Sequence, residues 1–233
     1  MKKKIVFLTG AGISAESGIR TFRDAGGLWE EYSLEDVCSV DGWHRNPRLV
    51  NAFYQERRRQ LAGAVPNDAH RLVAQLEDDY EVVVVTQNVD DLHERAGSSR
   101  IIHLHGDLLT MCSSFNKEDL SQHVRLSLDD VEVDADARAK DGSLLRPYIV
   151  WFGENVPKLD DAISEVRTAD IFVIVGTSLN VYPAAGLINY VRPDAQMYLI
   201  DPNLVKIPRG FPIHTICSVA SEGMRLLCEC LKQ

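Results

Sequence analysis

A histidine that follows an apolar run and precedes a glycine is the first candidate for proton transfer in this chain. His105 comes directly after Ile101–Leu104 and directly before Gly106. A histidine with a pKa near neutrality can accept a proton from a hydroxyl group. An isolated His-Gly pair is more often a strand end with a structural hydrogen bond, so the surrounding motifs must decide between the two interpretations.

A glycine-rich turn near the start of the chain has the composition of a nucleotide-binding loop. The apolar run Ile5–Leu8 leads into Gly10, Gly12 and Ala15, which fit the spacing G-x-G-x-x-G/A. Glycine permits a tight turn and lets main-chain N–H groups approach a pyrophosphate. An ordinary dinucleotide unit returns to its second strand within about 30 residues. Here the next convincing strand is Glu81–Thr86, which argues against a hydride-transfer dehydrogenase.

Polar side chains follow that second strand directly. Gln87, Asn88 and Asp90 carry amide and carboxylate groups that can bind ribose hydroxyls and a carboxamide. The alternative is a turn followed by a helix cap, which Asn-Val-Asp-Asp would also form. The two interpretations are compatible, because one loop can both cap a helix and contact a ligand.

Six separated motifs resemble the sirtuin family of NAD-dependent protein-lysine deacylases. They occur in family order across nearly the whole chain, and the closest likeness is to short bacterial members related to the mitochondrial desuccinylase subgroup. The motifs are GAGISAESGIRTFR (10–23), TQNVDDLHERAG (86–97), HLHG (103–106), VWFGE (150–154), GTSLNVYPAAG (176–186) and IDPN (200–203).

The resemblance implies the residues that bind NAD and carry the chemistry. His105 is expected to be the general base, Asn88 and Asp90 to form the nicotinamide pocket, and Gln87 to lie near the ribose. The IDPN motif departs from the family's usual Asn-x-Glu, which weakens the assignment of Asn203. The implied NAD-binding residues are Gly10, Ala11, Gly12, Ile13, Ala15, Phe22, Arg23, Trp29, Gln87, Asn88, Asp90, Gly176, Thr177, Ser178, Asn203 and Ala220.

Two further groups bear on the acylated substrate. Tyr54 and Arg57 stand at i and i+3 on one helix face, where a phenol and a guanidinium can hold a carboxylate. In the resembled subgroup this pair recognises the distal carboxylate of succinyl-lysine, whereas the alternative is a solvated basic face over 57–59. The extended segment Val150, Trp151, Phe152 and Gly153 resembles the family's partner for the substrate peptide, with core packing as the alternative.

The reaction implied by the resemblance is NAD-dependent deacylation of protein lysines, with desuccinylase or demalonylase activity beside deacetylation. Its products are nicotinamide, O-acyl-ADP-ribose and free lysine. Two alternatives stay open. One is an NAD glycohydrolase or ADP-ribosyltransferase, and the other is a non-catalytic sensor of NAD or ADP-ribose.

The composition of the chain indicates which kinds of partner and which cellular compartment to expect. The 233-residue chain has a formal net charge of −9, which argues against a broad nucleic-acid surface. No stretch approaches membrane-spanning length. The five cysteines lack regular spacing, which fits free thiols in a cytoplasmic protein. A monomer is favoured, although the sequence leaves the oligomeric state open.

Continuous apolar strands alternating with helices predict an α/β, Rossmann-like, doubly wound parallel sheet with a small inserted module. The predicted strands are Ile5–Thr9, Glu81–Thr86, Ile101–Leu104, Ile171–Gly176, Met197–Ile200 and Ile213–Cys217, and the predicted helices are Asn46–Ala62, Asn67–Asp79, Pro183–Tyr190 and Ala220–Leu231. The chain is expected to form one catalytic domain, with a large part at about 1–30, 64–107 and 155–233 and the module at about 31–63 and 108–154. Because the family's paired zinc cysteines are missing, no zinc is predicted. The polar segment Met111–Ser143 would then be held by packing alone, or be partly mobile.

Overall fold

The computed structural model describes residues 2–21, 32–207 and 210–232. Within these residues, two short 3-10 helices, Leu76–Asp78 and Leu120–Gln122, and two of seven residues, Ala11–Ser17 and Ala184–Tyr190, accompany the regular elements. In chain order, the strands and α-helices are β1 Lys4–Thr9, α1 Leu34–Val37, α2 Val40–Arg45, α3 Pro47–Gly63, α4 Asp68–Gln75, β2 Glu81–Thr86, α5 Leu92–Ala96, β3 Ile101–His103, β4 Gly106–Ser113, β5 Val124–Arg125, β6 Leu145–Ile149, α6 Leu159–Val166, β7 Ile171–Val175, β8 Gln196–Ile200, β9 Ile213–Ile216 and α7 Ala220–Leu231.

The contacts within the chain divide it into two compact units. The larger unit comprises Met1–Arg20, Val65–Leu104 and Val156–Gln233. The smaller unit comprises Thr21–Ala64 and His105–Asn155. Each unit is formed by segments that are distant in the sequence, so each depends on contacts that local sequence patterns do not reveal.

The larger unit is built on a six-stranded parallel sheet with the order β3-β2-β1-β7-β8-β9. Its central strands are almost wholly apolar because both faces are covered, one by the cluster around Phe172 and the other by the cluster around Phe7. This confirms the predicted Rossmann-like α/β fold. The strand order changes direction at β1, and the loops that follow β1, β2 and β7 therefore come together at the carboxyl edge.

Most elements begin and end within a residue or two of the positions that the sequence predicts. Strand β2 matches Glu81–Thr86, and Asn67 caps α4 by accepting hydrogen bonds from the backbone N–H groups of Ala69 and His70. The predicted helix over 67–79 is partly wrong, since the α-helix ends at Gln75 and continues as a 3-10 turn. The predicted helix Pro183–Tyr190 is likewise a 3-10 helix, over Ala184–Tyr190.

The smaller unit combines helix α3 with a three-stranded sheet in the order β5-β4-β6. Asn46 caps α3 and Pro47 occupies its first turn, where a missing N–H costs nothing. The polar segment between β5 and β6 has no α-helix or long strand of its own. It is attached instead to α3.

That attachment is a row of polar contacts along one side of α3. Gln55 Nε2 and Arg58 Nε both donate to the carbonyl of Val131, at 3.0 and 3.2 Å. Asn51 Nδ2 donates to the carbonyls of Ala135 and Leu145, at 3.3 and 3.2 Å. At the exposed flanks, Arg48 pairs with Asp136 and Arg59 with Glu132. The expectation that packing alone holds this segment is therefore wrong, because buried hydrogen bonds also fix it.

Two features are absent from the described residues. No helix within 2–21, 32–207 and 210–232 is both long and apolar enough to cross a membrane. The same residues contain no group of three or more His, Cys, Asp or Glu side chains placed to hold a metal ion.

Candidate active site

Two glycine-containing loops meet backbone to backbone at the carboxyl edge of the larger unit's sheet. The N–H of Gly10 donates to the carbonyl of Val175 at 3.0 Å, and the N–H of Gly12 donates to the carbonyl of Gly176 at 2.9 Å. A methyl group on Gly12 would lie 2.6 Å from Gly176 Cα, and Gly176 itself has a φ of 62°. Side chains are therefore excluded here, which leaves a backbone cradle of the kind that a pyrophosphate requires.

A buried polar cluster lies beside this cradle. Asn88 Nδ2 donates to the carbonyl of Gly10 at 3.1 Å and to Ser14 Oγ at 3.2 Å. Ser14 Oγ donates in turn to Asp90 Oδ2 at 2.9 Å. Burial raises the pKa of Asp90, although the bonds from Ser14 and the Leu92 N–H oppose the shift. The structure thus joins the predicted residues Asn88 and Asp90 through Ser14, which the sequence interpretation did not single out.

The histidine before the candidate base supports the same loop. His103 Nδ1 lies 3.1 Å from the carbonyl of Asn88, and its Nε2 lies 2.6 Å from Glu94 Oε1. Burial alone would lower the pKa of His103, but the hydrogen bond and charge of Glu94 outweigh it and raise that pKa. Because both ring nitrogens face acceptors, the imidazolium form suits this position. His103 therefore has a structural role, in which it holds the loop after β2.

Beneath the loop lies a pair of fully buried histidines. Asn67 connects them to the glycine turn, since its Nδ2 donates to the carbonyl of Ile13 at 2.8 Å while its Oδ1 lies 3.1 Å from His70 Nδ1. The rings of His70 and His93 are in edge contact, 4.8 Å between centroids. His93 Nε2 lies 3.3 Å from Thr9 Oγ1 at the end of β1. These contacts fix the glycine turn relative to the ends of the strands.

This histidine pair should make the protein sensitive to mild acid. Burial, with smaller effects from the charges of Arg71 and Arg95, lowers the pKa of His70 to about 4. The unfolded chain takes up this proton near pH 6.5, so stability falls as the pH drops from there towards 4. We expect the free energy of unfolding to decrease by about 3 kcal/mol over this range.

Urea denaturation at several pH values measures this loss. His70→Gln should flatten the profile, although burial also lowers the pKa of His93, which retains part of the slope. His44→Gln, at an exposed position on α2, is the matched control and should leave the profile unchanged. An equal slope in the wild type and His70→Gln would contradict the assignment.

The remaining predicted cofactor residues differ in their surroundings. Thr177 is buried and accepts a hydrogen bond from Gln87 Nε2 at 3.0 Å, which joins the loops after β2 and β7. Ala220 is buried at the start of α7. Asn203 is exposed and its N–H is bound to Asp201 Oδ1. Ile13 is buried, Ala11 and Ser178 are partly buried, Ala15 is exposed, and Phe22, Arg23 and Trp29 lie outside the described residues.

In the smaller unit, Tyr54 and Arg57 are buried near each other on α3. Their exposed fractions are 5% and 8%. The Tyr54 hydroxyl lies 3.4 Å from Cys38 Sγ, and the charge of Arg57 also reaches this thiol. Burial raises the pKa of Cys38 to about 11, so the thiol is neutral at pH 7. The alternative of a solvated basic face is wrong for Arg57 and Arg58, which are buried, and fits only Arg59.

The predicted substrate segment starts beside the candidate base. The Val150 N–H donates to the carbonyl of His105 at 2.9 Å, and His105 itself is partly buried in the turn before β4. Trp151 is buried, whereas Phe152 is 44% exposed and pairs through its backbone with Cys38 and Val40. The prediction of an extended segment is wrong from Gly153 onward, because the chain turns there with a φ of 95°.

The chain was compared with known families, curated proteins and solved structures. Residues 10–183 match the model of the Sir2 family. An NAD-dependent protein deacylase of Bacteroides thetaiotaomicron is 53% identical over 229 residues, which cover 98% of each chain. The crystal structure of a Sir2 homolog–NAD complex has a TM-score of 0.86 at 37% identity, covering 99% of this chain and 90% of the other. A Sir2–p53 peptide–NAD+ complex has a TM-score of 0.82 at 31% identity, covering 99% and 94%.

Proposed function

The chain belongs to the Sir2 family, and from this premise we propose that it is an NAD-dependent protein-lysine deacylase. The observation that carries the proposal is the likeness to the Bacteroides deacylase, which runs nearly from end to end of both chains. The backbone cradle at Gly10, Gly12 and Gly176 supports it independently, since it suits a dinucleotide pyrophosphate.

We assign the following roles to the residues of the larger unit. When bound, NAD supplies the bond to nicotinamide that is cleaved and the ADP-ribose that accepts the acyl group. Other main-chain N–H groups of the glycine turn would bind its pyrophosphate, since those of Gly10 and Gly12 already bond to Val175 and Gly176. Asn88 and Asp90, held by Ser14, bind the nicotinamide carboxamide through amide and carboxyl groups that are already fixed. Gln87, Thr177 and Ser178 bind ribose hydroxyls.

In the smaller unit, His105 is assigned as the general base that accepts a proton from a ribose hydroxyl. The hydrogen bond from Val150 to its carbonyl ties this base to the segment that we assign to the substrate peptide. Val150 would pair with the peptide backbone, Gly153 would contact the peptide from the turn that begins there, and Trp151 and Phe152 would contact the acyl-lysine chain. We also propose that the smaller unit needs no structural zinc, which the buried hydrogen bonds from α3 to the segment between β5 and β6 support.

We further propose that acidic acyl groups such as succinyl and malonyl are preferred. Tyr54 and Arg57 support this preference, because a phenol and a guanidinium on one helix face can bind both oxygens of a carboxylate. The Arg57 guanidinium also lies 4.9 Å over the Phe53 ring, which restricts its orientation. An acetyl group has no carboxylate, so deacetylation would not use the pair.

The test is mass spectrometry of one peptide sequence carrying either acetyl-lysine or succinyl-lysine, with and without NAD. We expect NAD-dependent loss of both acyl groups, with stoichiometric nicotinamide and O-acyl-ADP-ribose. Consumption of NAD without any change in the peptides would favour a glycohydrolase or ADP-ribosyltransferase. Binding of NAD with no turnover would favour a sensor.

Arg57→Met should separate acyl preference from activity. We expect kcat/KM for the succinyl peptide to fall about tenfold to a hundredfold, since a charge-assisted bidentate contact is lost. The rate of deacetylation of the acetyl peptide should stay within about threefold of the wild-type rate, because an acetyl group has no carboxylate for Arg57 to bind. Arg59→Met removes a neighbouring exposed arginine on the same helix and serves as the control. Equal losses for both peptides would contradict the role of Arg57.

A further inference from the structure

A buried arginine in the smaller unit lies behind the residues assigned to the acyl group. Arg146, on β6, is almost fully buried. Its guanidinium donates to Glu154 Oε1 at 2.8 Å and to Glu154 Oε2 at 3.3 Å. It also donates to the carbonyl of Ile149 at 2.8 Å. This planar fork therefore closes the chain from β6 to Glu154 into a fixed turn.

The same pair holds Trp151 in two ways. The guanidinium carbon of Arg146 lies 3.3 Å from the centre of the Trp151 ring. Glu154 Oε2 accepts a hydrogen bond from the Trp151 N–H at 2.9 Å, and it lies 3.1 Å from Lys117 Nζ. The indole is thus fixed both at its backbone and at its face.

The fixed indole determines how the Tyr54 hydroxyl can bond. Trp151 Nε1 donates to Tyr54 Oη at 3.1 Å, and an indole N–H can only donate. Tyr54 therefore accepts from Trp151 and directs its single hydrogen elsewhere. Cys38 Sγ lies 3.4 Å from the hydroxyl, where either group can donate, and it is a weak partner that a carboxylate would readily replace.

We propose that Arg146 is a positioning residue for acyl-group selectivity, which acts through Trp151 to leave the Tyr54 hydroxyl free to donate to an acyl carboxylate. The inference rests on the proposed deacylase function and on the role of Tyr54. It adds that selectivity depends on Arg146, which is not itself assigned to the substrate. Only the acidic acyl groups need this hydrogen, so a loss of positioning should lower their turnover more than that of the acetyl group.

Steady-state kinetics with matched succinyl and acetyl peptides tests the proposal. The variants are Arg146→Met, which removes the fork, Arg146→Lys, which keeps the charge without it, and Trp151→Phe, which keeps a ring but removes the N–H. Arg48→Met removes an exposed arginine from α3 in the same unit and is the control. Thermal unfolding of each variant verifies that it folds.

We expect the ratio of kcat/KM for the succinyl peptide to that for the acetyl peptide to fall about tenfold in Trp151→Phe and in both Arg146 variants. The KM for NAD should stay within about threefold of the wild-type value, and Arg48→Met should change neither quantity. If Arg146→Met does not fold, Arg146→Lys and Trp151→Phe decide the question.

Two results would overturn the inference while leaving the deacylase function in place. One is an equal loss for both peptides, which would mean that Arg146 only maintains the fold. The other is an unchanged ratio in Trp151→Phe. A wild-type enzyme that removes acetyl but not succinyl groups would overturn both this inference and the proposed acyl preference. Absence of any NAD-dependent deacylation would overturn the proposed function itself.

Discussion

Replacing His105 with alanine is expected to lower the rate of deacylation by about 10²- to 10⁴-fold, the usual contribution of a general base. The loss should appear in kcat for acetyl and succinyl peptides alike, because the proton that His105 accepts belongs to the ribose and not to the acyl group. NAD should still bind, since the glycine cradle and the Asn88 cluster belong to other segments of the chain. Peptide mass spectrometry and a separate NAD titration measure the two quantities.

His44→Ala provides a matched control for this variant. His44 is an exposed histidine on α2 in the same unit, so its removal changes the same atoms without reaching the assigned base. We expect wild-type turnover from it. Turnover of His105→Ala within about tenfold of the wild type would remove His105 from the role of general base.

Gly12→Ala is the second change with a large expected effect. The added methyl group would lie 2.6 Å from Gly176 Cα and 2.9 Å from its carbonyl oxygen. Both neighbours are backbone atoms, so a loop must move. We expect the free energy of unfolding to fall by about 1–3 kcal/mol, as in other overpacked sites. NAD affinity should fall by about tenfold or more, because the movement of either loop would distort the backbone cradle assigned to the pyrophosphate.

Gly63→Ala is the corresponding control. Gly63 is the last residue of α3, and a methyl group there would meet nothing within 4 Å. This change should leave NAD binding intact and should stabilise the protein slightly, by at most about 1 kcal/mol. Urea denaturation and isothermal titration give both numbers. Equal NAD affinity in the two variants would show that the close approach at Gly12 is not needed for binding.

The sheet of the larger unit could be predicted because its strands carry their own signal. Runs such as 82–85 and 171–175 are apolar without interruption, which only a strand covered on both faces requires. The helix after Asn67 was also marked by its cap. Its end was not, because the change from α-helix to a 3-10 turn at Leu76 depends on tertiary contacts rather than on composition.

The candidate site could be predicted where one short motif holds the relevant side chains. Asn88 and Asp90 share a loop, and the structure joins them through Ser14, which the glycine motif already contained. Arg146 was missed because its meaning depends on Glu154 and on a ring that lies over its guanidinium. Nothing in the sequence before the turn indicates that this arginine is buried.

The polar segment Met111–Ser143 was misjudged for a related reason. Its acidic composition suggests a solvated or loosely packed loop. Its backbone carbonyls, however, are the acceptors for Asn51, Gln55 and Arg58. Every residue carries a backbone carbonyl, so the sequence does not indicate which carbonyls accept hydrogen bonds from the side chains of α3. These contacts could therefore not be predicted.

Helix α3 has consequences for how such an enzyme can change its substrate range. Two different sets of side chains on α3 have separate tasks. Asn51, Gln55 and Arg58 attach the helix to the rest of the smaller unit. Tyr54 and Arg57 are the residues that we assign to the acyl group. Substitutions at 54 and 57 therefore leave the attachment intact. Libraries randomised at these two buried positions should therefore keep the hydrogen bonds between α3 and the polar segment, and their folded members can be screened for new acyl preferences.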